Sequence, residues 1–136
     1  MTGPALQVVS VDGAFVRTRG AGWWEVKTLA VGLVAAGAEG GSRATDLSYF
    51  SRLAEADRFT DLATVELHRR GTATAGTVVG VADGAAWCQA FFDYHRPDAV
   101  RILDFAHAVG YLARAAEAAG GTGSDVGRTW LEEQAH

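Results

Sequence analysis

The chain has 136 residues, 49% of them hydrophobic and 21% charged, which suits one domain with its own core. A formal net charge of −4 and a pI near 5.5 exclude a broad basic surface that would grip nucleic acid unaided. No apolar run approaches the roughly 18 residues of a membrane span, MTGPALQ has no signal-peptide pattern, and the single cysteine, Cys88, has no internal partner. A cytoplasmic protein with no membrane partner is expected. An acidic balance is still compatible with phosphate chemistry, because such sites hold metal ions on carboxylates.

The run LQVVSVDGAFVRT (6–18) is rich in valine with partial alternation and predicts a long strand. RGAG (19–22) is a turn, and WWEVKTLAVGLVA (23–35) predicts a second strand, hairpin-paired with the first and bending at Gly32. Residues 36–45 read as a loop of glycine and small residues. Leu47, Phe50, Leu53 and Ala54 recur at helical spacing, although a third strand is the alternative. Thr60 is the expected N-cap of a helix carrying Leu62, Val65 and Glu66, with Arg69 and Arg70 in its last turn and Gly71 beyond. A small-residue linker (71–77) leads into a strand over 78–82. After Asp83-Gly84 a short helix reaches Pro97, and a short strand covers 99–103. A long helix is expected from Asp104 to about Ala119, striped by Phe105, Val109, Leu112 and Ala116. GGTGS (120–124) is a break before a helical tail. Alternation of strands and helices in the second half favours parallel pairing, whereas the front resembles a hairpin or meander. The fold class is α/β, a mixed sheet with flanking helices.

Three apolar runs lead into an aspartate: Asp12, Asp83 and Asp104. Ligands of open α/β sheets gather at the carboxyl ends of parallel strands. If the strands of Asp12 and Asp83 are parallel neighbours, the two carboxylates lie close and repel unless a cation neutralises them. Mg²⁺ accepts one or two carboxylates together with substrate phosphate oxygens, and Gly13 and Gly84, lacking Cβ atoms, would let a ligand or backbone approach. The plainer reading is that Asp-Gly makes turns and that Asp83 and Asp104 cap the helices after them.

VSVDGAFV, VVGVADGAAW and ILDFAHAVGYL, in that order, resemble the catalytic core of DDE transposases. Within that group they are most similar to the Kra-type, Mutator-like-related enzymes of bacterial insertion sequences. GWWEVKTLAVG and SYFSRLAEADRFTDLATVELHRRG resemble the intervening segments, so the resemblance covers nearly the whole chain. It implies a ribonuclease-H-like fold that cuts DNA at transposon ends and joins strands, using two Mg²⁺ or Mn²⁺ ions. Asp12 matches the first catalytic aspartate, on the first strand, and Asp83 the second, after the fourth strand. Both would ligate metal. Asp104 and His107 match the Cys/Asp-x-x-His signature and would support the site. The third acid, a downstream glutamate, has no match: Glu117, Glu132 and Glu133 do not fit it. The expectation is therefore a partial core over residues 1–119, the start of a helical insertion or tail over 120–136, and little activity alone. Whether the chain is itself an enzyme stays open at this point, and a homo-oligomer is the expected partner besides DNA. The alternatives are a non-catalytic remnant that binds a protein partner and, more weakly, an unrelated nucleotide-binding α/β domain.

Other residues read more plainly. His107 and Tyr111 share a helix side with Asp104 if that helix starts there. His95 is expected in solvent before the proline turn, and His68 belongs to a polar helix end. Trp23 and Trp24 are expected to pack with one ring inward and the other outward, an interface patch being the alternative. Trp87 is expected beneath the site, and Cys88 to be a small buried hydrophobe. No Cys/His set has zinc spacing, and GTGSDVG lacks the Lys-Ser/Thr of a phosphate loop.

Overall fold

The computed structural model describes residues 2–36 and 42–103. The strands are β1 (Leu6–Thr18), β2 (Gly22–Ala36), β3 (Ser42–Leu53), β4 (Thr77–Ala82) and β5 (Val100–Leu103). The helices are α1 (Ala56–Leu62), α2 (Thr64–Arg69) and α3 (Ala86–His95), with a 3₁₀ turn at Thr72–Thr74. The strands form one mixed sheet ordered β3-β2-β1-β4-β5. β1, β2 and β3 are an antiparallel meander, and β4 joins β1 in parallel. The architecture is thus α/β, as the sequence implied.

Period-2 burial sets the core. Val9 and Val11 of β1, Leu29 and Val31 of β2, and Val78 of β4 are buried together with Phe59, Leu67, Cys88, Phe91 and Phe92 of the helices. Phe59 is the hub, with ring centroids 5.9 Å from Phe50, 5.9 Å from Trp87 and 6.0 Å from Phe91. At Gly80 a Cβ would come within 2.7 Å of the Phe92 ring, so α3 rests directly on the backbone of β4.

The stretch around Leu47, Phe50 and Leu53 is strand, not helix. Strand parity separates these residues: Phe50 faces the core, opposite Leu29, whereas Leu47 and Leu53 are exposed. Their three-residue spacing fits a helix by coincidence, and pairing with β2 overrides it. The loop expected over 36–45 is correspondingly shorter, since Ala36 closes β2 and Ser42 opens β3. The bend at Gly32 is present as a register shift between Val31 and Leu33. Thr60 caps nothing: it lies inside α1, which begins at Ala56, and its hydroxyl donates to the Ala56 carbonyl at 2.9 Å. Gly71 follows α2 with φ 71°, the left-handed conformation expected beyond a helix end.

His95 is half-buried rather than solvated. Its ring lies 4.6 Å from that of Phe91, and Nε2 contacts the Thr60 carbonyl at 2.8 Å. Burial pushes this imidazole below its ordinary value near 6.5, against the opposing pull of the Thr60 carbonyl. Between the two values the unfolded chain binds a proton that the native chain does not, so stability falls as pH drops from about 7 through the folded pKa. The thermal midpoint of the parent is expected to fall between pH 7.5 and pH 5 more steeply than that of His95→Gln. Parallel profiles would show that His95 does not carry this slope.

Candidate functional site

The site grows from the one parallel ladder between β1 and β4. Its register runs from Leu6 opposite Thr77 to Ser10 opposite Val81. Continued by two residues, the same register sets Asp12 level with Asp83. Asp12 is not at the end of its strand, because β1 runs on to Thr18 with Asp12 opposite Thr28 of β2. What ends just before Asp12 is the ladder to β4. Asp83 directly follows β4, so both carboxylates stand at the carboxyl end of the parallel pair.

Each carboxylate is braced locally. The exposed Asp12 accepts the Gly13 N–H on Oδ1 at 2.9 Å. Asp83 accepts the Ala85 N–H at 2.8 Å and the Cys88 thiol at 3.7 Å, both on Oδ1. Gly84 turns the chain from β4 into α3 with φ 86°, in the left-handed region that favours glycine. Asp83 therefore shapes this turn and is not the N-cap of α3, which is Ala85.

Cys88 is buried, as expected, and its surroundings are acidic. Burial pushes its thiol up to about 12, and Asp83, Asp12 and Glu25 add to the rise. The sulfur stays protonated at neutral pH and serves as a donor to Asp83, not as a nucleophile.

Glu25 and Lys27 of β2 belong to the same region, although the sequence reading passed over them. The Glu25 carboxylate folds over Gly13, where an added Cβ would come within 2.7 Å of Oε2. The space beside Gly13 is thus filled by a side chain and is not open to a ligand. Lys27 is buried, pairs with Glu25 at 2.8 Å, donates to the Ala54 carbonyl at 2.8 Å and lies 5.6 Å from the Trp87 ring centre. Trp87 packs edge-on against Phe59.

Asp104 and His107 lie outside the described residues. β5, which neighbours β4 in the sheet, ends at Leu103, one residue before Asp104. Among the described residues no group of three or more His, Cys, Asp or Glu side chains is arranged to hold a metal ion. What Asp12 and Asp83 offer is a pair, which fits a hard cation that takes further oxygens from its substrate.

Trp23 and Trp24 depart from the expected inward and outward packing: they are 66% and 44% exposed. Among the described residues no helix is long and apolar enough to cross a membrane. No protein-family model matches the chain, and no curated protein matches it.

Proposed function

We propose that this chain is a catalytic core of the DDE transposase type, with a ribonuclease-H-like sheet, acting on phosphodiesters of DNA at transposon ends. The observation that carries the reading is the parallel β1–β4 register, which continued by two residues sets Asp12 level with Asp83. Asp12 is on the first strand and Asp83 directly follows the fourth, the positions that the resemblance assigns to the first two acids.

Asp12 and Asp83 would hold Mg²⁺ or Mn²⁺, which when bound neutralises the two carboxylates and polarises a phosphodiester. The chain's own contribution is orientation. The Ala85 N–H and the Cys88 thiol fix one oxygen of Asp83, and the Gly13 N–H fixes one of Asp12. Glu25 is held by Lys27 and takes no role in the reaction here. The reaction implied is in-line attack on phosphorus by water, which breaks the P–O3′ bond and frees a 3′-hydroxyl, followed by attack of that hydroxyl on a second phosphodiester, which releases the 3′-oxygen of that strand. A homo-oligomer with DNA is the working assembly.

The test is a calorimetric Mn²⁺ titration of the parent, Asp12→Asn and Asp83→Asn. The parent is expected to show saturable binding and each variant to lose it, because each removes half of the carboxylate pair. If both variants bind Mn²⁺ as the parent does, the pair is structural and the reading fails.

A further inference from the structure

The β1–β2 hairpin outruns the rest of the sheet. β4 leaves β1 after Ser10, and β3 leaves β2 at Val26, opposite Leu53. Beyond that point Phe15–Thr18 and Gly22–Glu25 form a two-stranded ribbon. At about 3.4 Å per residue, β1 reaches more than about 20 Å past its last partner in β4. A bare ribbon of this kind gains little from its own burial, yet it carries three large aromatic residues. Phe15 is 68% exposed, and Trp23 and Trp24 are exposed as well.

The register arranges them. Phe15 stands opposite Glu25 and Arg17 opposite Trp23, so these four share one face of the ribbon. Trp24 is steadied by its indole N–H, which donates to the Ala21 carbonyl at 3.1 Å. Phe15, Trp23, Trp24, Glu25, Lys27 and Glu55 line a cavity of about 590 Å³ at the base of the ribbon. Glu25, one of the lining residues, also covers Gly13, which neighbours Asp12 along β1.

Charge selects the occupant. Between Gly13 and Trp24 there is no carboxylate, and Arg17 and Arg19 stand in a chain of net charge −4. Neither arginine has an ion-pair partner among the described residues. Glu25 is neutralised by Lys27. A surface of aromatic faces with local positive charge suits a strand of stacked bases and phosphates, whereas a second copy would bring two like-charged tips together.

We propose that the β1–β2 ribbon is a platform for an unpaired nucleic-acid strand, with bases stacked on Trp23 and Phe15 and phosphates held by Arg17 and Arg19. This deepens the function proposed above and rests on it, since it names the surface that delivers the strand to Asp12 and Asp83.

The test is fluorescence anisotropy of a labelled oligothymidylate of about 12 nucleotides, titrated with the full chain and with Trp23→Ala, Trp23→Phe and Arg17→Ala. Base stacking of this kind makes Trp23→Ala bind about 5- to 150-fold more weakly, with most of the affinity restored in Trp23→Phe. Arg17→Ala lowers the slope of log affinity against log salt by about 0.7, one phosphate contact on a single strand. Trp23 is exposed, so circular dichroism of the variants is expected to match the parent. Equal binding by parent and Trp23→Ala overturns the platform, as does absence of binding by the parent. Sedimentation that shows a parent dimer abolished by Trp23→Ala assigns the surface to self-association and overturns it too. The Mn²⁺ titration separates the two ideas. Manganese binding that depends on Asp12 and Asp83 without strand binding sinks the platform alone. Trp23-dependent strand binding without manganese binding sinks the transposase reading and leaves the platform standing.

Discussion

Phe59→Ala is expected to destabilise the fold by about 3–5 kcal/mol, the range for truncating a fully buried aromatic ring. Phe59 has 0% exposure and is the single ring of the seven-residue helix α1 that the core receives. It meets Phe50 of β3 and both Trp87 and Phe91 of α3, so its loss unfastens α1 from sheet and helix together. No flexible neighbour stands by to fill the gap, because all three contacts are tilted or edge-on aromatic rings about as rigid as the one removed. Domains of this size are stable by only about 5–15 kcal/mol. Urea unfolding should therefore show a large fall in midpoint at nearly constant slope. Phe15→Ala, on the exposed ribbon, is the control and should stay within about 0.5 kcal/mol. A cost below about 1 kcal/mol for Phe59→Ala would mean that α1 is not tied to the core through this ring.

Lys27→Met is expected to cost about 2 kcal/mol. The ammonium is almost wholly buried, and two acceptors depend on it, the Glu25 carboxylate and the Ala54 carbonyl. Removing one member of a buried pair strands the other. The effect falls at the modest end because the Glu25 side chain keeps 26% exposure and can turn to water. The methionine keeps most of the packing against Trp87, so the loss reports on charge and hydrogen bonding. Glu25→Gln added to Lys27→Met should recover part of the loss, and a double-mutant cycle by urea denaturation should give a coupling of about 0.5–3 kcal/mol. Additive effects of the two substitutions would show that the pair is an incidental contact.

The legible parts of the fold are those written in local pattern. Valine alternation marks β1 and β4, the turn glycines mark the hairpin, and Gly71 marks the end of α2. β3 was illegible because its identity lies in its partner: the spacing of Leu47, Phe50 and Leu53 satisfies a helix, and only pairing with β2 chooses between the two. The same division runs through the site. Asp12 and Asp83 stand out because each follows a valine-rich run, and a parallel pairing then sets them level. Glu25 and Lys27 needed the hairpin register, since their place beside Gly13 follows from which residue of β2 opposes which of β1. Trp23 and Trp24 misled for a different reason. Adjacent strand residues usually divide between a core and a solvent face, but at the tip of the ribbon no core reaches them.

The placement of the ladder has a consequence for folding order and for local opening. The meander β1–β2–β3 joins neighbours in sequence, whereas β1 and β4 meet only by closing a segment from Ser10 to Val81. That closure bears the larger entropy cost and belongs to the slower, non-local part of assembly. The register that brings Asp12 level with Asp83 exists only while the five residue pairs from Leu6–Thr77 to Ser10–Val81 hold. Amide exchange at that ladder therefore reports how long the register lasts, and a fluctuation that parts β4 from β1 undoes it while leaving the meander and its aromatic tip intact.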